Sequence, residues 1–168
     1  MPKQRRYAST QKHRFIDGGY VFWAAFFVLY QIFSSIFPLP ILLGFFFCYT
    51  LSLIKESELN LYDLDFRYYF ALLYLLFIDI THDFYLFSSW IAFFIFYYFF
   101  VDWLRITFKI GKLLPIFFTL CAYLIFYVLD QILSYVDTSK LDLLGKEYFI
   151  YALIEAFICF FVFKDKLR

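Results

Sequence analysis

Charge is scarce in this chain: Asp, Glu, Lys and Arg make up 17% of its 168 residues, and the formal net charge is +1. A sum this close to zero gives no general pull toward nucleic acid or toward an acidic partner, so the placement of charge carries the information. Histidine occurs only at His13 and His82, which leaves no metal constellation of recognisable spacing. Cys48, Cys121 and Cys159 all stand in apolar runs. No two are close enough for a C-x-x-C redox pair, so they read as small apolar residues. There is no H-E-x-x-H helix, no G-x-S-x-G turn and no glycine-rich phosphate loop. Those absences leave no motif for a cofactor and none is expected.

What the chain does have is apolar surface. Hydrophobic residues make up 64% and aromatic residues 28%, with 28 Phe and 16 Tyr. A water-soluble core of this size does not hold so many rings, whereas lipid solvates them directly. The pattern predicts an all-α polytopic membrane protein, a six-helix transmembrane bundle. A basic cytoplasmic tail covers residues 1–17, one membrane domain covers 18–163, and a basic cytoplasmic C-terminus covers 164–168. The apolar runs are Tyr20–Phe37, Leu39–Ile54, Phe66–Ile80, Phe87–Phe108, Leu113–Val136 and Tyr148–Phe163. The second and third are short for a crossing of about 20 residues.

Orientation follows from lysine and arginine. With both termini in the cytoplasm, every Lys and Arg except Lys140 and Lys146 falls on that side, and the positive-inside rule favours this arrangement. The segment KESELNLYDLDFR reads as a solvated inner loop and DTSKLDLLGKE as the outer one. Arg105, Lys109 and Lys112 are spaced four and three apart and form one basic helical face at the cytoplasmic headgroups.

The stretch from Leu75 to Trp90, LLFIDITHDFYLFSSW, places three ionisable groups in greasy surroundings. On a continuing helix Asp79, His82 and Asp83 share one side; at a helix end they form a polar turn in the headgroup layer. A charge at a helix centre in hydrocarbon costs several kcal/mol, roughly 2.5 to 3.5 on insertion scales, so such groups mark an interior, a water path or an interface. His82 beside the two aspartates is the one trio with acid–base potential, and nothing else in the sequence points to catalysis. Gln31, Asp130 and Gln131 fall toward the same outer half. Glu155 lies near the middle of the last run without a Lys or Arg at its depth; Gln131, a tyrosine hydroxyl or water are its candidate partners.

A basic N-terminal tail, a first helix with Gln31 in its outer half, a proline before the second helix, the run LLFID closing on Asp79, the turn THDFY, and the reopening at Leu86, Phe87 and Ser88 together resemble MreD, the rod shape-determining inner-membrane protein family. In that family the third helix closes on an aspartate, a short polar turn follows, and an apolar residue and glycine open the next helix. Glycine is also common a few residues before that aspartate; this chain has Leu75 and Phe87 at those two places. The resemblance implies a non-enzymatic scaffold of the bacterial cell-elongation machinery in the inner membrane. It would bind an MreC-like coiled-coil protein and, through it, MreB and the peptidoglycan synthases, with Gln31, Asp79 and Asp130 fixing register. The family's fold is similar to the substrate-capture subunits of vitamin transporters, so the alternative is a small-solute-binding subunit or small transporter using the same polar cluster.

Overall fold

A computed structural model describes residues 18–60, 66–107, 111–136, 146–164, 166 and 167. It is all-α, with six rods: α1 (Gly18–Ile36), α2 (Leu43–Asn60), α3 (Phe66–Thr81), α4 (Ser88–Thr107), α5 (Leu114–Val136) and α6 (Lys146–Phe163). The first, fourth and fifth are long and apolar enough to cross a membrane, which makes the chain a multi-pass membrane protein. In lipid a helix satisfies its own backbone. The hydroxyls of Thr50, Thr81 and Thr119 likewise bond back to carbonyls three or four residues earlier on their own helices.

Two boundaries depart from the sequence reading. α2 begins at Leu43, later than its apolar run, and runs on through Lys55–Asn60, residues expected to lie in a solvated loop. Glu56 on this extension pairs with Arg67 at the start of α3, 3.5 Å away, an exposed contact worth at most about 1 kcal/mol. The expected remainder of that loop, residues 61–65, and the expected outer loop, residues 137–145, lie outside the described residues.

α2 is the central rod, packed against α3, α5 and α6, while α4 bridges α3 and α5. α1 leans on α3, helped at its start by Arg67 over the Tyr20 ring at 5.7 Å. The interior is built largely of rings. Phe46 stacks on Tyr74 with centroids 3.8 Å apart, Phe47 meets Phe93 edge-on at 5.2 Å, and Phe96 meets Phe118 at 5.5 Å. All six rings are buried, and such pairs add about 0.5–1.5 kcal/mol beyond their area. The phenylalanine excess therefore does more than coat the lipid-facing surface. Trp90 Nε1 donates to the Leu72 carbonyl at 2.8 Å and ties α4 to α3. Midway along α4, Phe96–Val101 form a π-helical turn. Cys48 and Cys159 are buried and Cys121 is half-buried, all as free thiols.

Candidate functional site

Two helix starts carry the polar chemistry of the bundle. An α-helix leaves its first amides without intrahelical partners, and a Ser, Thr, Asp or Asn at the N-cap normally takes one of them. Here α2 and α4 start on apolar residues. Leu42 precedes α2 and its carbonyl accepts the Phe46 amide at 3.0 Å, which makes it the N-cap. Phe87 holds the same position before α4. Neither side chain can accept a hydrogen bond, and both residues adopt the left-handed backbone, with φ of 65° and 67°.

A carboxylate from another helix does the capping in each case. Glu155 of α6, fully buried, accepts the amides of Leu42 at 2.5 Å, Gly44 at 2.9 Å and Phe45 at 3.3 Å, and the Tyr123 hydroxyl of α5 at 2.5 Å. Asp79 at the end of α3, also fully buried, accepts the amides of Phe87 and Ser89, the latter at 3.3 Å, together with the Ser88 hydroxyl at 3.2 Å and the Ser89 hydroxyl. The N-cap amide and the amide two residues on are used both times. Each turn also spans the same interval, from a helix ending at Ile36 to an N-cap at Leu42, and from Thr81 to Phe87. The positive end of a helix dipole offsets part of the cost of a buried carboxylate, so neither Glu155 nor Asp79 requires a Lys or Arg.

Close approach makes the Glu155 cap possible. Gly44 faces Thr119 and Glu155 so tightly that a Cβ there would overlap the Thr119 methyl and sit 3.2 Å from Glu155 Oε2. The chain between α1 and α2 is held from the other side by α1. Tyr30 Oη donates to the Pro40 carbonyl at 2.8 Å, and Ser34 Oγ lies 3.3 Å from the Leu39 carbonyl and 3.5 Å from that of Pro40.

Gln31 belongs to a seam between α1 and α3. It is buried, donates to Thr81 Oγ1 at 3.1 Å and accepts the Tyr74 hydroxyl at 2.9 Å. His82 Nε2 lies 3.5 Å from Ser34 Oγ, and its ring stacks on Phe84. In this turn, beyond the end of α3, burial pushes His82 below its ordinary value of 6.5 while Asp83 opposes the shift, so the imidazole is neutral near pH 7. α3 stops at Thr81 and Asp83 turns outward, exposed, with φ 54°. The helix therefore does not continue to put Asp79, His82 and Asp83 on one side; they form a turn in which Asp79 faces inward and Asp83 outward.

Gln31 and His82 are thus gathered around one pair of turns with Asp79. Asp130 is half-buried on α5 and makes no hydrogen bond or ion pair among the described residues, and Gln131 beside it is half-buried. Asp130 does not join the bonds that connect the two turns. Glu155 takes a tyrosine hydroxyl, one of its expected partners, but its other donors are backbone amides that the sequence reading did not consider. Prolines before α2 and a buried glycine two residues past its N-cap were the available signals. On the opposite side, Arg105 lies 3.8 Å from Asp102 and Lys112 is exposed; Lys109 lies outside the described residues. Among the described residues no group of histidine, cysteine and carboxylate side chains is arranged to hold a metal. Comparisons with protein-family models, with curated proteins and with solved structures find no match.

Proposed function

We propose that this chain is a non-enzymatic scaffold of the bacterial cell-elongation machinery, similar to MreD. It crosses the inner membrane six times with both termini in the cytoplasm and docks an MreC-like partner on its outer side. The observation that carries this reading is the turn after Asp79. The third helix closes on a buried aspartate that reaches across to the start of α4, and Phe87 has the left-handed backbone at the place where the resembling family has glycine. The distribution of lysine and arginine supports the orientation.

Asp79 and Gln31 are fully buried, so their contribution to docking is to fix the two turns rather than to touch the partner. The exposed tips are Phe37 and Leu39 on one turn and Leu86 and Phe87 on the other, apolar side chains suited to meet a second transmembrane helix where it emerges. A solute-capture subunit needs an outer chamber. The space between α2, α5 and α6 is instead filled by Glu155, Tyr123 and the close contact of Gly44 with Thr119, which favours docking over capture. Replacing Asp79 by Leu or Leu86 by Arg in the full chain is expected to reduce co-purification of a membrane-anchored coiled-coil partner without preventing insertion. Unchanged co-purification in both variants would count against the reading.

A further inference from the structure

Beside the π-helical turn of α4 lies a cleft at the other end of the bundle. Its volume is about 290 Å³, and it lies between the polar extension of α2, the start of α3 and the middle of α4. Tyr68, Phe93, Phe94, Tyr97 and Tyr98 supply its walls and Glu58 stands at its rim. The rings are set at varied angles. Phe93 and Tyr97 are nearly parallel with centroids 6.3 Å apart, whereas Phe94 meets Phe93 and Tyr98 meets Tyr97 steeply, at 6.1 and 5.7 Å. A π turn adds a residue to the helical repeat, and such turns are frequent at functional sites. Here it carries Tyr97 and Tyr98.

Aromatic faces are electron-rich, and rings enclosing a small space beside a carboxylate attract an organic cation. Glu58 is exposed, whereas its neighbour Glu56 is engaged by Arg67. The cleft thus offers a cation-binding carboxylate with aromatic walls, the complement of an ammonium group. The polar collar of α2 and α3 places it at a membrane surface, and the exposed sides of Phe94 and Tyr98 give acyl chains a route along α4.

We propose that this cleft binds the headgroup of an aminophospholipid, with the primary ammonium among the rings against Glu58. A primary ammonium brings positive charge to the Glu58 carboxylate and to the ring faces, whereas a glycerol headgroup offers hydroxyl donors but no cation. The site stands independently of the scaffold reading, because it involves neither the outer turns nor a protein partner.

The test is native mass spectrometry of the purified full chain titrated with phosphatidylethanolamine and with phosphatidylglycerol of identical acyl chains. Phosphatidylethanolamine is expected to bind about tenfold more tightly, the scale of a partly desolvated cation–π contact combined with a charge pair. Glu58→Gln is expected to abolish that preference, and Tyr98→Leu to weaken phosphatidylethanolamine binding while leaving phosphatidylglycerol unchanged. Both positions are exposed, so the variants are expected to keep the fold, and their melting temperatures in the absence of added lipid verify it. Equal affinity for the two lipids, or a preference that survives in both variants, would overturn the proposal.

Discussion

The Leu42 amide donates to the Glu155 carboxylate at 2.5 Å across 113 residues of sequence, in the same register in which the Phe87 amide meets Asp79. Each carboxylate replaces a capping side chain that its helix does not carry. The two turns they secure lie against α1 and α3, joined by Gln31 and by the approach of Ser34 to His82. A pair of costly buried acids is thereby converted into the fasteners of one surface.

Removing the Glu155 fastener leaves backbone donors in a dry interior. Glu155→Ala is expected to destabilise the full chain by at least about 1–3 kcal/mol, the cost of leaving one buried donor without an acceptor. Glu155→Gln keeps one acceptor oxygen and is expected to lose less. Thermal unfolding in a mild detergent measures both. Equal, small losses would show that the α2 amides find other acceptors.

Gly44 tests the close approach itself. Gly44→Ala introduces a methyl that overlaps Thr119 and crowds Glu155, with an expected loss of about 1–3 kcal/mol, as for other overpacked interiors. Gly19→Ala is its control, since a Cβ there meets nothing within 4 Å and alanine is the better helix former by about 1 kcal/mol. The prediction is therefore opposite signs for the two substitutions, read as melting temperatures of the same preparation.

The strained turn residues can be probed where no packing is at stake. Asp83 is exposed with φ 54°, a conformation that aspartate tolerates and β-branched residues resist. Asp83→Val is expected to cost at least about 1 kcal/mol, whereas Asp83→Gly is expected to be neutral or stabilising by up to about 1 kcal/mol. Identical melting temperatures for the two variants would mean that the left-handed turn is not kept in solution.

The sequence made the helices legible because runs of Phe, Leu and Ile can be solvated by lipid only along a rod. Their ends follow the apolar limits at α1, α3, α4, α5 and α6 within a few residues. α2 was the exception. Its start is set by Glu155, a residue in a different helix, and its end runs into Lys55, Glu56 and Glu58, which keep helical backbone despite their charge. Glu155 and Asp79 stood out as acids without cations, yet their partners were hidden: a backbone amide has no letter of its own, and Leu42 and Phe87 carry no capping group. Local preference would also place glycine at both N-caps, so their left-handed backbone becomes visible only with the tertiary bonds that enforce it. The cleft beside Glu58 was illegible for a similar reason, because a π turn leaves no mark in a run of aromatic residues.

The role assigned to these turns is most directly tested by extracting the full chain from its native membrane in a mild detergent and identifying by native mass spectrometry what remains bound. The account predicts a membrane-anchored coiled-coil protein, lost when Asp79 is replaced by Leu, and no small solute held between α2, α5 and α6. A stoichiometric small solute retained without any such protein would contradict it.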